Sequence, residues 1–178
     1  MDAASDCAKV VQWDTGVTCG ELTQHARGRA VSCDMKPNRP MRLVTSGMDD
    51  SRVVFHAGPP FKRIMDGTPT EGAHVKGAVN CVRYNAAGDK VASVGADKMV
   101  VIYDGKTGTK LANLEQVHEG TIYACAWSPN DKFLLTCSAD GTVKLLSVEP
   151  LEIVHTWNVA ELQIGAQILE KTPIGGMQ

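Results

Sequence analysis

Three sets of side chains in this chain have the residue types of a nucleophilic hydrolase: His25, Thr45 and Asp49; His74, Ser93 and Asp97; His118, Thr136 and Asp140. In such a set a hydroxyl attacks, an imidazole takes its proton, and a carboxylate orients the ring. Two features oppose that chemistry. The set recurs three times with Thr, Ser and Thr exchanged, and no Gly-x-Ser-x-Gly elbow surrounds any hydroxyl. The alternative is a buried relay, because imidazole donates from one nitrogen and accepts at the other and so bridges hydroxyl and carboxylate. Each such bond stabilises by about 1 kcal/mol, and stranding a buried partner costs about 1–3 kcal/mol. The sets are expected to be structural, with no catalytic residue.

The segments that hold these residues repeat as well. LVTSGMDDSRVVF, VASVGADKMVVIY and LLTCSADGTVKLL are copies, with Asp-to-Asp intervals of 48 and 43 residues. A period of about 40–45 residues that opens on His and closes on an aromatic is the mark of WD40 propeller blades. The inner strands are read as AVSCDM, VNCVRY and IYACAW, and the second strands as MRLVTS, KVASVG and KFLLTC. The third strands follow as RVVF, MVVIY and TVKLL, and the outer strands as FKRI, KLANL and EIVHTW. Alternation within them suits half-buried strands, and KPNRP, NAAGD and SPND supply turn residues between them. Four strands make one blade.

The fold expected is all-β, an incomplete WD40 β-propeller of about three and a half four-stranded blades. Residues 1–24 would end a preceding blade, with Trp13-Asp14 as the WD dipeptide. Full blades would span 25–66, 67–114 and 115–157, and 158–178 would start a degenerate blade or form a non-native tail. So few blades would not close a ring, which points first to a fragment, then to a truncated gene model, then to pairing with another chain.

Within the relays, Asp49 is expected to bind its histidine and Asp50 to point outwards. In many WD repeats a third-strand Trp extends the relay; here that place is read as Phe55, Tyr103 and Leu146. GKTG at 105–108 lacks the frame of a phosphate loop and reads as a hairpin turn. HAGPPFK, residues 56–62, is a stiff turn that either presents Phe61 and Lys62 for contact or is simply rigid. MDGTPTEGAHVKG, between the first two copies, is a rim insertion that either carries contacts or is merely tolerated.

Composition narrows the classes. The 178 residues are 43% hydrophobic and 21% charged, which excludes a disordered chain. A net charge of −2 with no Lys/Arg block disfavours nucleic acid. No apolar run reaches the ~20 residues a membrane span requires, and the first residues lack a signal-peptide core. A cytoplasmic protein without membrane partners is expected. Cys7, Cys19, Cys33, Cys81, Cys125 and Cys137 form no Cys-x₂-Cys pair, so no metal site or cofactor is expected, and they read as small buried hydrophobes.

The run VQWDTG…GELTQH, KPNRPMRLVTSGMDDS, AGPPFK, VNCVRYNAAGD, YDGKTG and HEGTIYACAWSPND resembles the WD-repeat protein 1 (actin-interacting protein 1) family over about residues 9–168. The resemblance implies two joined seven-bladed propellers, of which this chain would be a central piece of the N-terminal one. It also implies a non-enzymatic protein of the actin cytoskeleton that binds filaments decorated with cofilin/ADF and promotes their disassembly. Acidic and aromatic side chains serve that role in the family, and the matching positions here are Asp49, Asp50, Phe61 and Lys62. Ala57 and Arg63 depart from the family, which has an acid and an aromatic there. The competing expectation is a generic WD40 scaffold for a multiprotein complex.

Overall fold

The computed structural model describes residues 8–22, 25, 29–67, 74 and 76–159. The insertion's central part and the tail from residue 160 lie outside the described residues, so the expectations placed on them stay as stated. The regular structure of the described residues is almost all strand.

A two-stranded hairpin comes first: β1 (Ala8–Val11) and β2 (Thr18–Leu22). Three four-stranded antiparallel meanders follow. The first blade is β3 (Ala30–Met35), β4 (Arg42–Gly47), β5 (Val53–Ala57) and β6 (Lys62–Gly67). The second is β7 (Val79–Tyr84), β8 (Lys90–Gly95), β9 (Val100–Asp104) and β10 (Lys110–Leu114). The third is β11 (Ile122–Trp127), β12 (Phe133–Ser138), β13 (Thr142–Val148) and β14 (Leu151–Asn158). These are the expected strands in the expected order, and no sheet among the described residues joins the first hairpin to the third blade.

Period-two alternation divides each strand between two neighbours. On β9, Val101 and Tyr103 join Val44, Val53 and Phe55 of the first blade, whereas Val100 and Ile102 face Ile122, Leu134 and Leu146 of the third. Phe55 meets Tyr103 edge to face, with ring centroids 6.0 Å apart. The third blade's far face has no such neighbour among the described residues, and Tyr123 and Leu135, next in the strands to buried Ile122 and Leu134, are exposed there.

Polar ties set the stacking register. The Asp34 carboxylate accepts from the Tyr84 amide at 2.7 Å, joining first blade to second. Asp131 repeats the device from the third blade, accepting from the Ala86 and Ala87 amides at 2.8 and 2.9 Å. Backbone amides at the end of β7 and in the turn after it thus find carboxylate acceptors in the adjoining blades.

Candidate functional site

Each relay hydroxyl lies on a blade's second strand and each carboxylate in the turn before the third strand. In the second blade, His74 Nδ1 stands 2.8 Å from Asp97 and Nε2 stands 2.7 Å from Ser93 Oγ. In the third, His118 Nδ1 stands 3.0 Å from Asp140 and Nε2 stands 2.9 Å from Thr136 Oγ1. With a neutral ring, Nδ1–H donates to the carboxylate and Nε2 accepts the hydroxyl proton. All three hydroxyl residues are buried, at 0–1% exposure, as are the three histidines. A nucleophile without solvent contact meets no substrate, whereas a hydrogen-bonded strut needs that burial.

The first blade differs from its expectation by one residue. His25 Nε2 lies 2.8 Å from Thr45 Oγ1, but Nδ1 meets Asp50 at 3.1 Å, not Asp49. The Asp50 side chain is 6% exposed; Asp49 is 32% exposed and lies 3.9 Å from Arg29 Nε. Strand register explains the correction. Thr45 pairs with Val54, nine residues on, whereas Ser93 pairs with Val101 and Thr136 with Lys144, each eight on. The first hairpin therefore holds one residue more. Counted back from the third strand, the carboxylates align: Asp50, Asp97 and Asp140 each accept from the amide two residues later, at 3.1, 3.2 and 2.9 Å. The residue after each has a positive φ, in Ser51, Lys98 and Gly141. A Cβ at Gly47 would strike the Asp50 carboxylate and the His25 ring, so the turn closes against a residue without a side chain.

The same count replaces Phe55 at the third-strand position. Two residues before the relay hydroxyl, Leu43 pairs with His56, as Val91 pairs with Tyr103 and Leu134 with Leu146. His56 Nε2 lies 3.0 Å from Thr45 Oγ1. Since the Thr45 proton goes to His25, the network assigns an Nε2–H to His56 that donates to Thr45. Phe55 instead fills the space between blades. The Asp-x₅ spacing to His56, Tyr103 and Leu146 was in the sequence, and counting from the carboxylate nearest the third strand would have found both residues.

Burial and hydrogen bonding compete in setting the electrostatics. Partial burial works to raise the Asp140 carboxyl, but the Thr142 hydroxyl and amide, the Glu119 amide and the His118 ring together hold it well below the usual carboxylate range. Burial pushes His118 down, favouring the neutral ring, against the pull of Asp140. Burial likewise takes the Tyr103 hydroxyl up to about 12. That hydroxyl makes no hydrogen bond, although Ser93 lies in its surroundings.

The outward candidates separate. Phe61, at φ 61°, is buried at 3% against Leu22 and Leu43. It plugs the seam between β2 and the first blade and is no surface contact, because the two prolines turn the chain inward there. Lys62 is exposed, and with Asp49 it leaves two of the four candidates on the outside. In the GKTG turn, Asp104 Oδ1 accepts from the Lys106 and Thr107 amides at 2.7 Å, occupying donors a phosphate would need. Trp13 is 94% exposed in the β1–β2 turn, outside any strand. Among the described residues no three metal-ligating side chains converge, and no helix is long and apolar enough to cross a membrane.

Comparison with known proteins fits these blades. The model for the WD domain, G-beta repeat, matches residues 68–104 and 108–147. WD repeat-containing protein 1 of Rattus norvegicus is 43% identical over 88% of this chain and 26% of its own length. WD repeat-containing protein 1 of Gallus gallus is 40% identical over 89% of this chain and 25% of its own. Actin-interacting protein 1 of Drosophila melanogaster is 39% identical over 79% of this chain and 22% of its own. The chain thus spans about a quarter of the length of the curated relatives it matches. With repeated four-stranded blades and matches of this extent, the chain carries WD40 repeats and is similar to WD repeat-containing protein 1 and actin-interacting protein 1.

Proposed function

We propose that this chain is a non-catalytic binding module that engages actin filaments decorated with cofilin and promotes their disassembly in the cytoplasmic actin cytoskeleton. The observation that carries this reading is the 39% identity, across 79% of the chain, to a protein named actin-interacting protein 1. The buried relays act as internal rivets and leave binding to the blade rims. Asp49, with its carboxylate outside the relay, and exposed Lys62 are the side chains that would meet the filament. Binding energy would come from contact area and a few such positions, as at other protein interfaces.

Co-sedimentation with filamentous actin, with and without cofilin, tests the proposal. Cofilin-dependent pelleting, weakened several-fold by Asp49→Lys with unchanged urea unfolding, is expected. Pelleting that ignores cofilin, or its absence with the chain folded, overturns it and favours the generic WD40 scaffold.

A further inference from the structure

Two thiols face each other between the second and third blades and take no part in the relays or the outward turns. Cys81 stands on β7 and Cys125 on β11, both inner strands, and their sulfurs lie 4.0 Å apart. They are 4% and 6% exposed. Bonds beside them hold the strands together: Asn80 Nδ2 donates to the Ile122 carbonyl at 2.8 Å, and Trp127 Nε1 donates to the Arg83 carbonyl at 3.0 Å. A cleft of about 290 Å³ lined by Arg83, Cys125 and Trp127 reaches Cys125 from outside, and Cys81 lies directly behind it.

The two sulfurs are unequal. The Cys125 thiol donates to Cys81 Sγ, and this bond, with the Cys125 amide, the Arg83 charge and the Ser32 hydroxyl, outweighs burial and brings Cys81 down to about 6. The same bond, then burial, pushes Cys125 up, with nearby Cys137 adding in the same direction. The lowered Cys81 and raised Cys125 favour a thiolate nucleophile on the first sulfur beside a resolving thiol on the second.

We propose that Cys81 and Cys125 form a redox-responsive dithiol that hydrogen peroxide closes to a disulfide, stapling the second blade to the third. The Cys81 thiolate attacks one peroxide oxygen, the O–O bond breaks, and the departing hydroxide takes a proton to become water. Cys81 is then a sulfenic acid. Cys125 loses its proton and its sulfur attacks Cys81; the S–S bond forms, the S–O bond breaks, and that hydroxide leaves as a second water. Two thiols are oxidised by two electrons, and one peroxide is reduced to two waters. Closure to the ~2.05 Å of a disulfide requires the sulfurs to approach by about 2 Å.

The test takes the whole reduced 178-residue chain at pH 7, treats it with hydrogen peroxide, alkylates remaining thiols under denaturing conditions and maps cysteines by mass spectrometry. The expected result is a Cys81–Cys125 linked peptide, in monomeric protein, formed ahead of any pair involving Cys19, Cys33 or Cys137. Dithiothreitol should reverse it, and the linked chain should unfold at higher urea than the reduced one. With Cys125→Ser, Cys81 should stop at a sulfenic acid that dimedone captures. Both thiols surviving while exposed Cys33 oxidises, or links only between molecules, overturns the proposal. Mapping on the unsubstituted chain decides this even where the variant fails to fold.

Discussion

The first and third blades solve one problem in two ways. Both anchor an entry histidine between a second-strand threonine and a turn aspartate. In the first blade the network continues through Thr45 to His56, so four polar side chains run from the turn to the third strand. In the third blade Leu146 occupies that strand position, and the network grows at the other end, where the Thr142 hydroxyl reaches both Asp140 Oδ1 at 2.7 Å and His118 Nδ1 at 3.0 Å. Relay length is therefore adjustable at either end. The second blade sits between: Tyr103 supplies a hydroxyl at the His56 position but leaves it without a hydrogen bond.

Removing the central hydroxyl separates the two designs most strongly. Thr45→Val strands nitrogens of both His25 and His56 and should cost about 2–5 kcal/mol, whereas Thr136→Val strands one and should cost about 1–3 kcal/mol. Urea unfolding at pH 7 measures both, and equal losses would mean His56 is no part of the relay. Next comes Asp50→Ala, expected to cost about 1–3 kcal/mol, beside Asp49→Ala, expected within about 0.5 kcal/mol. The reverse order would reinstate the original assignment of Asp49.

Acid acts on the third blade with a defined sign. Burial depresses His118, so the unfolded chain binds its proton more tightly, and the stability this group contributes is full above about pH 6.5 and falls as pH drops through the lower folded value. The depressed Asp140 keeps its contribution until pH falls below about 4. Urea midpoints should therefore decline from pH 7 to pH 5, and His118→Gln should flatten that decline; an unchanged slope would show that His118 does not govern it. The smallest effect is expected at Tyr103→Phe, which removes a buried hydroxyl without a partner and should be neutral or stabilising by up to about 1 kcal/mol. A loss of 2 kcal/mol or more, on the scale of a stranded buried group, would reveal a bond to Ser93.

The strands themselves were legible. AVSCDM, VNCVRY and IYACAW appear as β3, β7 and β11 with the bounds the alternation implied, because period two and Asn/Asp/Gly turns act over a few residues. The error in the first blade arose because two carboxylates stand side by side and spacing from the preceding hydroxyl was matched to the other copies. That spacing spans the turn, where an inserted residue hides, and only pairing across β4 and β5 reveals it. Phe61 misled for a related reason. An aromatic beside two prolines and a lysine resembles a contact loop, yet the backbone folds its ring under the neighbouring hairpin.

Sequence alone determined the repeat, the four-stranded unit and the residue types each relay would use, since these follow from local alternation and turn chemistry. Tertiary structure decided which aspartate reaches His25, that His56 joins it, that Phe61 turns inward, and that Cys81 meets Cys125 across a blade seam. Those four outcomes depend on register and on contacts between distant strands, where a shift of one residue carries a side chain from one face to the other.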